Sequence, residues 1–182
     1  MRKWQRPVVF GAGVALLVVL GIFLFWGASP SGAKPTGKIN WYDYEEGVKT
    51  AKETRRPIIL HFYTDWCTWC KKMDADTFAN SRIQEFVNLS FIPIKINPEA
   101  KQKVKMEGKE VNVSELARKF GVRAFPTTIF MEPDGKVIGP VPGYIDQDRM
   151  RKILSYVHEK AYEKMEFEEF VRDRSEFRAT GH

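Results

Sequence analysis

The 182-residue chain is poor in the residues that would staple or metallate it: it has two cysteines and three histidines. Two cysteines are too few for a disulfide-built scaffold, which is shorter and richer in cysteine. His61, His158 and His182 form no paired motif with another ligand, so the four-ligand set of a structural zinc site is not assembled. Nothing in the sequence calls for a cofactor. Acidic residues are missing altogether from residues 1–38, which carry Arg2, Lys3, Arg6, Lys34 and Lys38. These five account for most of the formal charge of +6, leaving 24 basic and 23 acidic residues in 39–182, a net of +1. A nucleic-acid-binding domain would concentrate positive charge in its folded body. This one does not, and no nucleic-acid partner is expected. No internal repeat is present.

What the chain does contain begins with an uncharged run, VVFGAGVALLVVLGIFLFW, at residues 8–26. As a helix it would span roughly 28 Å at ~1.5 Å per residue, close to the ~30 Å hydrocarbon core of a bilayer. Trp4 and Trp26 lie where interfacial aromatics belong, and Arg2, Lys3 and Arg6 precede the run. The positive-inside rule then leaves residues 1–7 in the cytoplasm and carries the rest across the membrane. The competing assignment is a cleaved signal peptide, with small residues at Ser31-Gly32-Ala33. Its apolar stretch would be shorter, ~7–15 residues. Both assignments deliver the remainder to the periplasm or extracytoplasmic space: as a single-pass protein of the inner (cytoplasmic) membrane in the first case, as a secreted periplasmic protein in the second.

Residues 27–38 are rich in Gly, Pro and Ser and read as a flexible linker. A domain is expected over 39–162. Within it, the spacing of Tyr44, Val48 and Ala51 predicts a helix over Asp43–Arg55, with Asp43 as its cap. Ile58 to Tyr63 reads as a buried strand. Lys71 to Leu89 carries helical spacing with a break at Ala79-Asn80-Ser81, and Phe91 to Ile96 reads as a second strand. Residues 98–112 are polar and lysine-rich, expected as a surface loop without chemistry. A short helix over Ser114–Phe120 is closed by Gly121. A strand at Thr127–Met131, a turn at Asp134-Gly135, a returning strand from Lys136 and a helix from Asp146 to about Tyr162 complete the order. The class is α/β, with a parallel pair first and an antiparallel hairpin later. Residues 163–182 are a charged extension in which Phe167, Phe170 and Val171 keep helical spacing.

The chemistry is concentrated in Cys67-Thr68-Trp69-Cys70, at the junction of a predicted strand and helix. A cysteine at a helix N-terminus meets free N–H groups and the positive end of the helix dipole, which favour its thiolate. The second cysteine lies within one helical turn, so the two sulfurs can close a small ring. Cys67 is then the nucleophile on a partner's disulfide, and Cys70 resolves the mixed disulfide. Two other uses of the spacing stand beside this one. Zinc binding lacks two ligands, and a purely structural disulfide would close too short a loop to gain much chain entropy.

The segment Phe62-Tyr63-Thr64-Asp65-Trp66-Cys67-x-x-Cys70-Lys71 resembles the thioredoxin active-site segment. Val122-Arg123-Ala124-Phe125-Pro126-Thr127 is similar to the proline loop of that family, and Asp134-Gly135-Lys136 with Gly143-Tyr144 to its terminal hairpin. With Asp76-Thr77-Phe78, the resemblance over roughly residues 40–160 is nearest to periplasmic, membrane-anchored thioredoxin-like domains such as the C-terminal domain of the DsbD interchange protein. It implies a thioredoxin fold, with a central mixed β-sheet flanked by helices and an N-terminal transmembrane helix. It implies an enzyme that exchanges electrons with protein thiols and disulfides. A membrane electron donor of DsbD/CcdA type would recharge it, and cytochrome c maturation and general disulfide repair are both compatible roles. Pro126 would follow a cis bond beside the sulfurs, and the backbone at Phe125 and Thr127 would pair with an extended substrate segment.

Trp66, Trp69 and Phe125 would collar the sulfurs, although simple core packing is the plain alternative, most readily for Trp66. Lys71 and Lys72 read as a solvated helix face. Two departures from the family pattern stand out. His61 occupies the position commonly held by a buried Asp, either as a proton shuttle or as a packed strand residue with one hydrogen bond. Thr68-Trp69 replaces the Gly-Pro of cytoplasmic thioredoxins, so oxidase and isomerase directions stay open beside reduction, as does a non-redox binding or chaperone module.

Overall fold

The computed structural model describes residues 37–180. The predicted span 8–26, and all of the linker but its last two residues, lie outside that range. Among the described residues no helix is long and apolar enough to cross a membrane.

The elements in chain order are α1 (Tyr44–Thr54), β1 (Ile58–Phe62), α2 (Thr68–Met73) running into a π-helical turn (Asp74–Phe78), α3 (Ser81–Ser90), β2 (Ile92–Ile96), β3 (Lys103–Met106), β4 (Lys109–Asn112), α4 (Val113–Lys119), β5 (Thr127–Met131), β6 (Val137–Pro142), α5 (Gln147–His158), a 3₁₀ turn (Ala161–Glu163) and α6 (Phe167–Thr180). The main sheet has the order β2-β1-β5-β6. β1 is parallel to β2 and antiparallel to β5, and β5 is antiparallel to β6. This is the mixed sheet expected, flanked by helices. Tyr42 adds an isolated parallel bridge to Ile94 at the β2 edge.

Strand alternation divides the core into two layers. Ile58, Leu60 and Phe62 of β1 pack with Tyr44, Ala51, Ile94, Leu116 and Ile129 on one face. Ile59 packs with Met73, Phe78, Ile83, Val87, Phe130, Met150 and Leu154 on the other. Both faces of β1 are therefore covered, which explains why it reads as an unbroken apolar run with His61 as its one polar member. α1 approaches the sheet closely because Gly47 has no side chain: a Cβ there would lie 2.5 Å from Ile94 Cγ1.

Four expectations are corrected. Asp43 precedes α1 as expected, but its side chain makes no capping hydrogen bond. The break expected at Ala79-Asn80-Ser81 is present, with Asn80 capping α3 by accepting from Arg82 N and Ile83 N, but the stretch before it is not regular α-helix, because α2 runs into the π turn at Asp74–Phe78. The helix expected to reach Tyr162 ends at His158, where Lys160 takes a left-handed conformation at φ 53°. Residues 98–112 are not a plain loop. β3 and β4 form an antiparallel hairpin around Glu107-Gly108, whose φ values of 51° and 79° suit a tight hairpin turn. Val104 and Val111 face each other across it and are buried against the first core layer.

The C-terminal extension packs back onto α5. Phe170 is buried, and the Tyr156 ring stacks edge-on against Phe167 at 5.4 Å and tilted against Phe170 at 5.3 Å.

Candidate active site

β1 ends at Phe62 and the chain turns through Tyr63–Trp66 into α2. Cys67 is the N-cap of that helix, with extended backbone at φ −70° and ψ 106°. Its Sγ accepts the Cys70 backbone N–H at 3.1 Å. Cys67 and Cys70 are joined as a disulfide, and both are buried, at 4% and 1% exposure. Thr64 O accepts the Cys67 N–H at 3.2 Å and so closes the turn. The capping position is what the chemistry needs: a donor on the sulfur of the leading cysteine stabilises that sulfur as an anion.

The Phe125–Pro126 bond is cis. Pro126 and Thr127 are buried, Phe125 half-buried. The loop is held at both ends: Thr127 Oγ1 donates to Ala124 O at 2.8 Å, and Pro126 O accepts the Gly143 N–H at 2.7 Å.

The two tryptophans rest on different aromatic neighbours. Trp66 is 66% exposed, so core packing does not describe it. Its ring meets Phe125 edge-on at 6.3 Å, and its indole N–H donates to both Glu99 carboxylate oxygens at 3.0 and 2.9 Å. Trp69 lies against Tyr144 at 5.7 Å instead. Lys72, read from sequence as solvated, is exposed but pairs with Asp76 and lies 5.6 Å from the Tyr144 ring centre. The sequence marks neither Glu99 nor Tyr144 as a site residue. Tyr144 had a signal in the aromatic following Gly143, whereas Glu99 had none, lying in a loop of unknown path.

His61 is fully buried, and its Nδ1 lies 3.0 Å from Thr128 Oγ1. Its ring packs at 5.0 Å from Phe78 and 5.9 Å from Trp41. Among the described residues neither Nε2 nor Thr64 Oγ1 has a hydrogen-bond partner. Burial, reinforced by the Lys95 charge, pushes the imidazole down to about 3. Lys95 itself is paired to both Asp74 carboxylate oxygens at 2.8 Å and lies over the Tyr63 ring. Among the described residues no group of three or more His, Cys, Asp or Glu side chains could hold a metal ion.

A cysteine pair with its first member capping a helix that follows a central strand, on this sheet order, is the arrangement of a thioredoxin fold. The chain belongs to the thioredoxin-like domain family, whose sequence pattern matches residues 44–158. It is 28% identical over 99 residues to the disulfide bond reductase DsbH of Chlamydia pneumoniae, covering 54% of this chain and 59% of that one. It is 25% identical over 120 residues to the thiol:disulfide interchange protein DsbD of Photorhabdus laumondii, covering 65% of this chain but 19% of that one. A thioredoxin-fold protein from Helicobacter pylori superposes with a TM-score of 0.59 at 18% identity, over 68% of this chain and 87% of its own, and shows the fold alone. The chain thus spans under two thirds of the length of either sequence relative.

Proposed function

We propose that this protein is a membrane-anchored, extracytoplasmic thiol:disulfide oxidoreductase that reduces protein disulfides. Residues 8–26 are the anchor, 27–38 the tether, 39–162 the redox domain and 163–182 a helical extension docked on it. A signal peptide cleaved near Ser31-Gly32-Ala33 would release the same domain into the same compartment.

In the proposed cycle the Cys67 thiolate attacks one sulfur of a client disulfide. A Cys67–client bond forms and the second client sulfur leaves as a thiolate. Cys70 then gives up its proton and attacks Cys67 Sγ, expelling the first client sulfur. The products are a client dithiol and the Cys67–Cys70 disulfide, with two electrons passed to the client. A membrane donor of DsbD/CcdA type would return them. Pro126, Phe125 and Thr127 would present the backbone edge on which the client segment lies, with Trp66 and Trp69 beside it. His61 stands beside this cycle as a neutral imidazole near pH 7.

The observation that carries this reading is the Cys70 N–H on Cys67 Sγ, which distinguishes the two sulfurs and makes Cys67 the better thiolate. The reducing direction draws support from the name of the Chlamydia relative, a disulfide bond reductase. Equilibration of the full chain with glutathione redox buffers tests it. A potential near that of thioredoxin or the glutaredoxins, about −270 to −200 mV, is expected. A value near about −120 mV, with no reduction of insulin, would make the protein an oxidase.

A further inference from the structure

Away from the cysteines, α3, α5 and α6 enclose an open groove of about 550 Å³. Phe86, Phe170 and Val171 give it an apolar floor. Its rim is basic, with Arg82, Arg151, Lys152 and Arg174. Among the described residues Asp148 is the acidic side chain in the lining, and it is paired with Arg151. Arg174 pairs with Glu159 and lies 4.7 Å from the Phe170 ring centre. Arg82 and Lys152 are exposed and have no ion-pair partner among the described residues.

Helical spacing continues the groove along α3. Arg82, Phe86 and Leu89 fall at i, i+4 and i+7, with Glu85 beside them. Leu89 is 65% exposed and belongs to neither core layer. On α6, Phe170, Val171 and Arg174 share a face, whereas Glu168, Glu169 and Asp173 fall on the opposite one. Apolar side chains flanked by cations suit a surface that lies against anionic lipid headgroups.

The point where the chain enters the domain bears on what covers this face. Asn88 of α3 donates from Nδ2 to Lys38 O at 2.8 Å, and its Oδ1 accepts the Asn40 N–H at 3.0 Å. The last residue of the linker is thus fastened to the helix that carries Arg82, about 9 Å further along its axis. A linker of residues 27–38 reaches at most about 40 Å at full extension, so a groove so placed is within reach of a bilayer that holds residues 8–26.

We propose that this groove docks the domain on the bilayer surface by binding anionic phospholipid headgroups, with Arg82 and Lys152 on the lipid phosphates beside the apolar Phe86 and Leu89. The inference rests on the reading of residues 8–26 as a membrane anchor and adds a second, salt-sensitive contact between domain and membrane.

The test uses the full chain reconstituted in vesicles of phosphatidylcholine, with or without added phosphatidylglycerol, and follows hydrogen exchange of the α3 and α6 amides. Phosphatidylglycerol should slow that exchange about fivefold or more, the scale of one basic side chain at an anionic surface. Raised salt should cancel the slowing without any variant. Arg82→Glu with Lys152→Glu should cancel it too, whereas Arg82→Lys with Lys152→Arg should keep it. Equal exchange in the two kinds of vesicle overturns the docking, as does slowing that survives both salt and charge reversal. Slowing by inorganic phosphate or by an acidic peptide in phosphatidylcholine vesicles, with none from phosphatidylglycerol, gives the groove to a soluble anion or a protein segment and overturns it as well. Release of the full chain from phosphatidylcholine vesicles by alkaline carbonate would overturn the anchor reading itself, and the docking with it.

Discussion

His61 Nδ1 lies 3.0 Å from Thr128 Oγ1 across the β1–β5 ladder, where the two residues are direct register partners. On the other side of β1 its register partner is Lys95. The imidazole thus sits in a sheet interior with a hydroxyl on one flank, a cation on the other, and the Phe78 and Trp41 rings packed against it.

That setting makes stability depend on pH with a definite sign. The native imidazole stays neutral down to about 3, whereas the unfolded one binds a proton below its ordinary value of 6.5. Between those values the unfolded state holds more protons, so stability falls with falling pH, by up to about 1.4 kcal/mol per unit. Above 6.5 the contribution is flat and fully present. Replacing His61→Leu should remove this slope. In urea melts between pH 4 and 8 the stability difference between the two proteins should shift in favour of the Leu variant towards the acid end, because carboxylate effects are shared by both. Parallel curves would show that His61 is not held neutral.

Gly47 offers a test in which two effects have opposite signs. Alanine is favoured over glycine in a helix interior by about 1 kcal/mol. At this position, however, a Cβ would lie 2.5 and 2.6 Å from two Ile94 side-chain carbons and 3.1 Å from Tyr42 Cβ. Ile94 is fully buried and cannot swing away. Overpacking typically costs about 1–3 kcal/mol. Gly47→Ala should therefore destabilise the domain in chemical denaturation. A stabilised variant would mean that α1 is free to lift from the sheet.

The β3–β4 hairpin should behave as core rather than decoration. Val104 and Val111 expose 4% and 6%. Truncating either to Ala should cost about 2 kcal/mol from lost burial and the cavity left behind. Val104→Thr should also cost stability, because it buries a hydroxyl. Exposed neighbours such as Lys103→Ala should fall within about 0.5 kcal/mol. Thermal melts that show no difference between the valine and lysine variants would return the segment to the status of a loop.

Much of the fold was legible because its strands are short, apolar and bounded by clear punctuation. Thr127–Met131 is found with the boundaries read from sequence, and β1 and β2 within one residue of them. The cysteine segment and Pro126 were legible because redox chemistry needs those residue types at that spacing. The hairpin was obscured by its lysines, although Val104, Met106 and Val111 alternate as a strand should. Its turn, Glu107-Gly108, departs from the Asn-Gly and Asp-Gly pairs that signal such turns most strongly. The π turn at Asp74–Phe78 inserts one residue into helical spacing, which periodicity absorbs without notice. The pairing of Trp69 with Tyr144 and of Trp66 with Glu99 depends on tertiary approach between distant segments, which no local pattern encodes.

The central claim is that Cys67 attacks and Cys70 resolves, and covalent trapping tests it most directly. The full chain carrying Cys70→Ser, incubated reduced with a disulfide peptide, should accumulate a peptide–Cys67 adduct seen by intact mass and released by dithiothreitol. Cys67→Ser under the same conditions should capture nothing, because the remaining Cys70 thiol is the deeper of the two, at 1% exposure against 4%, and lacks the N–H donor that Cys67 has. Capture by the Cys67→Ser protein, with none by Cys70→Ser, would contradict the assignment of roles.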